Sequence, residues 1–341
     1  MGLKPALLWI LSGKQMEKKQ QDFFYKVQSI TESFLTWRKK RRQRKKERRK
    51  KKNPILDWVL AFLWAAGMVL IANQYFIQAY VIPSGSMIDT LNINDRIFVN
   101  KLIYGPELLP GLFKIPGFYK PQRNEIIIFE NPSYNSKGTA FDLAQRIIYM
   151  LTISLVDIDR DETGQPSAHF LIKRAVGMSG DHLIMENGNL KIRFAGEDRW
   201  VNEGDYIKEQ DWTHTIRREF KGEQLKMLDK AGRIAGWQNL RLPVPEHLQD
   251  DSLSRTRFPD YLTEITRLET LRNAHPHDRR YSREHARKSL GWFIPEGRIF
   301  PMGDNRDNSR DGRFFGPVQK SKVLGRGSVI YWPLKRIKVI E

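Results

Sequence analysis

The first 56 residues are mostly polar, broken by one apolar stretch, Ala6–Leu11, too short to span a membrane. The spacing over 15–37 predicts an amphipathic helix. An uncharged run then extends from Trp58 to Pro83, WVLAFLWAAGMVLIANQYFIQAYVIP. About 20 apolar residues at ~1.5 Å each cross a hydrocarbon core of about 30 Å. Trp58, Phe62 and Trp64 lie towards one end and Tyr75, Phe76 and Tyr80 towards the other, as interfacial aromatics do. A buried core helix would not need this length without charge, so a transmembrane anchor is predicted over 57–80. Beyond it the pattern shortens to strand-like runs: Arg96–Leu102, Glu125–Glu130, Phe170–Val176, Arg298–Pro301 and Gly327–Trp332, many bounded by turn residues. Residues 107–119 read as an exposed apolar loop and 141–156 as a helix; each fits either the membrane interface or core packing. Residues 183–290 are polar and partly helical, as at Tyr261–Arg272, without a repeat.

These patterns predict a mainly β chain, with a β-rich core, an inserted α+β subdomain and one preceding transmembrane helix. The expected segments are a basic N-terminal region (1–56), the anchor (57–80), the first part of the core (81–182), the insertion or second subdomain (183–290) and the last part of the core (291–341).

Charge gives this arrangement a direction. Of the net +19, twelve charges come from Arg38–Lys52, which holds thirteen Lys and Arg and one Glu. Positive flanks stay cytoplasmic, so residues 1–56 are expected inside and everything after about residue 80 outside. The long preceding segment argues against a cleavable signal peptide. Residues 38–52 are suited to anionic lipid; with no interleaved aromatics to stack bases, nucleic acid is not expected as a partner. Absence of cysteine excludes disulfides, thiolate zinc sites and cysteine nucleophiles, leaving Ser, Thr, Lys or a carboxylate to attack a substrate.

Three segments carry candidate chemistry. Pro83-Ser84-Gly85-Ser86-Met87 follows the anchor, and a serine in a Gly-containing turn can present its hydroxyl openly. Lys173 sits among apolar residues in FLIKRAVG. An ordinary lysine is a poor base at neutral pH, but burial lowers its pKa and lets it accept a proton, as in Ser–Lys enzymes. Met302–Arg313, MGDNRDNSRDGR, needs internal ion pairs to hold so many charges in one loop. Asp307, Ser309, Asp311 and Gly312 match the start of a calcium loop, but Val318 stands where the bidentate Glu belongs.

In this order beside an anchor, the three segments strongly resemble the type I signal peptidase (leader peptidase) family of bacteria, over 80–104, 123–130, 170–181 and 295–332. The resemblance implies a membrane-bound serine endopeptidase that removes N-terminal signal peptides from exported preproteins, without metal or cofactor. It makes Ser86 the nucleophile and Lys173 the general base, with Ser84 Oγ and Ser86 N–H forming the oxyanion hole. Ser309 would orient the lysine, while Asp304 with Arg174, and Asp311 with Arg313, would be structural ion pairs. Ile82, Met87 and Ile172 would line one substrate pocket and Ile97 and Ile128 would help form another, selecting small residues in an Ala-x-Ala pattern.

The sequence departs from the family at Asp89, where Pro is usual; at Asn124-Glu125, where Gly-Asp is usual; and at Gly312, where Ser is common. Asp89 introduces a charge near the expected site and so bears on substrate preference or the lysine pKa. Among rival readings, a Ser–His hydrolase would need His169 or His182, which flank the lysine strand outside the matching spacing and read as surface histidines. A LexA-type self-cleaving repressor shares the Ser–Lys architecture but not the anchor. A basic membrane scaffold leaves the three segments unexplained.

Overall fold

The computed structural model describes residues 25–26, 28–29, 31–44, 54–109, 113–152, 155–160, 164, 167, 169–186, 188–218, 220–255 and 260–340. The expected helix over 15–37 is seen only in its later part: residues 31–44 are helical (α1), and 1–24 lie outside the described residues, as do residues 45–52 of the basic run. The chain divides into two units between Ala66 and Gly67.

The helix α2 (Pro54–Tyr75) crosses that division. Pro54 suits a first helical position, where its missing N–H is no loss, and Asp57 complements the positive end of the helix dipole. Ile55–Tyr75, with a mean hydropathy of 2.2, is long and apolar enough to cross a membrane. It is shorter than the expected 57–80 anchor, because residues 77–80 belong to β1 (Ile77–Val81). Gln78, Ala79 and Tyr80 are buried in the sheet rather than exposed on a helix.

The second unit is built on an eight-stranded antiparallel sheet, ordered β1, β2 (Arg96–Asn100), β13 (Val323–Trp332), β5 (Ile126–Glu130), β6 (Phe170–Gly177), β11 (Arg298–Met302) and β12 (Val318–Gln319), with β14 (Lys338–Val339) also on β13. Each strand-like run in the sequence finds its place here. β5 shows why: its continuous IIIF run is buried on both faces. Ile126 and Ile128 pack with Ile82, Met87 and Ile97 on one side, while Ile127 and Phe129 pack with Ala175 and Val323 on the other. The strands β3 (Glu107–Leu109) and β4 (Phe113–Lys114) make a short hairpin within the expected apolar loop. A helix, α3 (Thr139–Leu151), lies between β5 and β6.

A smaller sheet, β10 (Trp292–Phe293), β7 (His182–Glu186), β8 (Asn189–Arg193) and β9 (Trp200–Asn202), forms the base of the insertion. Leu183, Ile192 and Ile294 pack with Val176 and Phe300 of the large sheet. Between β9 and β10 the chain forms α4 (Glu203–Glu209), α5 (Glu223–Asn239), α6 (Asp251–Arg255), α7 (Tyr261–Ala274) and α8 (Arg279–Ser289).

Candidate active site

Ser86 lies in a single 3-10 turn, Gly85–Met87, reached from β1 through Pro83 and an extended Ser84. It is 7% exposed. The turn is held from the facing loop: Asn305 N–H donates to Ser86 O at 3.1 Å, and Asn305 Nδ2 to Gly85 O at 3.1 Å. Gly303 permits this approach, since a Cβ there would lie 2.5 Å from Ser86 O and 2.2 Å from Ser309 Oγ.

Lys173 stands in the middle of β6, paired with Ile127 of β5. Its Nζ is 2.7 Å from Ser86 Oγ and 2.9 Å from Ile172 O. The side chain is 3% exposed. Burial pushes its pKa down to about 8, against a smaller upward pull from Asp311 and Asp304. The strand thus delivers a proton acceptor with a readily reached neutral form to a hydroxyl within hydrogen-bonding distance.

The 303–313 loop is held by buried ion pairs. Arg174 Nε and Nη2 donate to Asp304 at 2.9 and 2.7 Å, and Thr90 Oγ1 donates to Asp304 at 2.6 Å. Burial alone would raise the Asp304 carboxyl's pKa, but Arg174 holds it below the usual carboxylate range. Arg313 Nε and Nη2 donate to Asp311 at 2.9 and 3.1 Å, and Gly303 N–H to Asp311 at 2.9 Å. Both expected pairs therefore form. Ser309 is 1% exposed beside Gly303, with its hydroxyl near the Asp311 carboxylate; the expected bond to Lys173 is not made.

Several residues of this framework carried no signal in the sequence. Arg306 donates to Glu203 at 2.5 and 2.7 Å, both side chains being buried. Arg218 pairs with Asp307 at 3.0 Å. Arg217 exchanges main-chain bonds with the loop: its N–H donates to Asp304 O at 2.9 Å and its carbonyl accepts from Arg306 N–H at 3.0 Å. Glu203, Arg217 and Arg218 lie about a hundred residues upstream in the insertion, with no motif to mark them. Asp307 and Asp311, the carboxylates of the calcium-like pattern, are both engaged by arginines, as is Asp304.

The departures acquire reasons. Asn124 has φ 75°, a conformation asparagine tolerates much as glycine does, and its carbonyl and side-chain oxygens accept from Arg174 Nη1 at 2.8 and 3.0 Å. At Gly312 a Cβ would lie 2.8 Å from Pro301 O. Asp89 is about half exposed and pairs with Arg217 at 3.2 Å. Asp89 is thus a surface contact to the insertion. His169 is buried rather than superficial: its Nε2 lies 2.9 Å from the buried Asp159, and burial depresses its pKa. The His182 ring lies 4.8 Å from that of Phe293, tilted by 45°.

A cavity of about 510 Å³ opens at the pair. Ser84, Ser86 and Lys173 line it with Ile82, Met87 and Ile172. Ser84 is exposed and its side chain does not cap the turn. Ile97 and Ile128 do not line it; they are 0% exposed and form the packed layer beneath Ile82 and Met87.

Comparison with known proteins matches residues 55–332 to the family described as signal peptidase, peptidase S26. The chain is 24% identical over 271 residues to signal peptidase I of Haemophilus influenzae, covering 79% of this chain and 67% of that protein. It is 25% identical over 278 residues to signal peptidase I of Pseudomonas aeruginosa, covering 78% and 69%. With signal peptidase IB of Staphylococcus aureus it shares 30% identity over 154 residues, covering 45% and 64%.

Proposed function

This chain belongs to the signal peptidase S26 family, and we propose that Ser86 is its nucleophile and Lys173 its general base. It is a serine peptidase that cleaves signal peptides, and its substrates are proteins that bear them. The observation that carries the assignment is the 2.7 Å contact between two buried side chains, one a lysine whose pKa falls to about 8.

Neutral Lys173 accepts the Ser86 proton as Oγ attacks the scissile carbonyl. Ser84 Oγ and Ser86 N–H stabilise the developing oxyanion; one good donor of this kind contributes about 3–4 kcal/mol. The ammonium then gives its proton to the departing amine, leaving an acyl-enzyme on Ser86. Neutral again, Lys173 takes a proton from water as its oxygen attacks the ester; the tetrahedral adduct collapses, the Oγ–acyl bond breaks, and the ammonium returns the proton to Ser86 Oγ as the new C-terminal carboxyl leaves. Ile82, Met87 and Ile172 leave room for small side chains, which supports an Ala-x-Ala preference.

The family is membrane-associated, and α2 is the anchor. The basic residues 38–52 remain cytoplasmic against anionic lipid, and the chain from β1 onwards is extracytoplasmic. Phe118 at 96% exposure, and Leu143, Ile147 and Leu151 spaced along the outer side of α3, support lipid contact by the 107–119 and 141–156 segments. Preprotein processing in detergent by the wild type, Ser86→Ala and Lys173→Ala tests the chemistry. Both alanine variants should lose processing; a normal rate in either removes that residue from its role.

A further inference from the structure

The turn that carries Ser86 is tied to the 303–313 loop through its carbonyls. Gly85 O accepts from Asn305 Nδ2 at 3.1 Å and, within the turn, from Ile88 N–H at 3.3 Å. Ser86 O accepts from Asn305 N–H at 3.1 Å. One residue therefore holds two successive peptide groups. Asn305 is 3% exposed and is not among the residues that line the cavity, so it does not meet a substrate. Its Oδ1 has no hydrogen-bond partner among the described residues, which is costly for a buried acceptor, so what this amide contributes lies in its nitrogen. The nitrogen has to face Gly85 O, because the amide oxygen would there meet another acceptor.

The Gly85 carbonyl and the Ser86 N–H are the two ends of a single peptide group. That peptide bond is trans, so its C=O and N–H point in opposite directions. A hydrogen bond that fixes the carbonyl therefore aims the N–H. Ser84 and Ser86 line the cavity and none of residues 303–313 does, so loop and cavity meet the turn on different sides. Drawing Gly85 O towards the loop turns Ser86 N–H away from it. Gly85 has no Cβ and does little by itself to hold the plane of this group. Accepting a hydrogen bond at the oxygen also polarises the group and makes its N–H a stronger donor.

We propose that Asn305 is a positioning residue for the oxyanion hole, holding the Gly85–Ser86 peptide group so that the Ser86 N–H meets the oxyanion as it forms. This rests on the reading above of Ser86 as nucleophile and of its N–H as an oxyanion donor. Asn305 acts through that peptide group rather than on the substrate.

The test uses the full chain in detergent, a preprotein substrate and two peptide ligands. One peptide ends in an aldehyde: Ser86 Oγ bonds to the aldehyde carbon and the hydroxyl proton passes to the aldehyde oxygen, giving a hemiacetal whose oxygen lies in the hole. The other is the same peptide ending in a primary amide, which binds without that bond. In Asn305→Ala, and in Asn305→Leu, which fills similar space without a donor, kcat should fall about 10- to 100-fold, up to the loss of one whole donor. KM should stay within about twofold, because only the transition state has lost an interaction. Aldehyde affinity should fall at least about tenfold while amide affinity stays within about twofold. The midpoint of the rise of kcat/KM with pH should not move, since Lys173 keeps its surroundings. Rates are counted per site that binds the amide, so unfolded chain does not enter them. Asp89→Asn should change none of these quantities. A normal kcat in both variants, an equal loss of affinity for both ligands, or a displaced pH midpoint overturns the proposal. So does loss of all ligand binding in both variants, which would make Asn305 a residue of general folding. Cutting by Ser86→Ala at the normal rate would instead refute the reading on which the proposal rests.

Discussion

Lys173 and Arg174 follow one another on β6, at 3% and 2% exposure, yet their surroundings treat the two charges in opposite ways. Arg174 has a carboxylate at 2.7 Å, a second bond to the same group, and three further oxygens from Asn124 and Thr90. Lys173 has a serine hydroxyl and a carbonyl, while Asp304 and Asp311 act on it without a hydrogen bond to its Nζ. A buried charge is kept when an opposite charge is bonded to it and is shed when only dipoles are offered. Strand alternation points neighbouring side chains to different faces, so one strand can make a fixed cation and a titrating base side by side.

The sharpest way to break this contrast is Lys173→Arg. A guanidinium stays charged and cannot act as the base, so turnover should fall at least about 10³-fold, the scale of losing a member of such a catalytic unit. Processing near the normal rate would mean that no neutral base is needed at this position. Next comes Asp304→Ala, which strands Arg174 without its partner and should lower stability by about 3–5 kcal/mol in urea unfolding of the solubilised chain. The milder Asp304→Asn addresses the other side of the contrast. In the wild type, kcat/KM should rise with pH and level off above about 8, where Lys173 loses its proton. Removing the Asp304 charge disfavours the ammonium, so the rising limb should move to lower pH.

Glu203→Gln tests whether the insertion supports the loop through one buried pair. Arg306 would keep hydrogen bonds but lose its countercharge, and the expected loss is about 1–3 kcal/mol. Smallest of all is Asp89→Asn. An exposed pair with Arg217 contributes little, so stability should change by no more than about 0.5 kcal/mol and the pH profile should not move. A displaced profile would return Asp89 to the site.

Legibility in the sequence followed the range of the interactions. The strands could be read because β5 and β6 bury consecutive apolar residues, and Ser86, Lys173, Asp304 and Asp311 because they stand in short ordered motifs. The expected anchor runs on to residue 80 because Ile77–Val81 is as free of charge as the helix before it; its burial in a sheet edge is set by strands far along the chain. Glu203 and Arg218 could not be read at all, since neither has a local pattern and each meets its partner only after the insertion folds back. Ile97 and Ile128 were placed one layer too far out: their strands were recognised, but not the depth at which the alternating faces lie.

The passage from α2 into β1 leaves no room for a linker. A single residue, Phe76, joins the two elements; its N–H donates to Ala72 O at 2.9 Å and its carbonyl accepts from Lys101 N–H at 2.9 Å. This junction has no slack, and the five residues of β1 extend only about 17 Å. The last turn of α2 is therefore spliced directly onto the sheet edge that runs on to Ser86, and an inserted residue at Phe76 would have to be absorbed by breaking one of these two main-chain bonds.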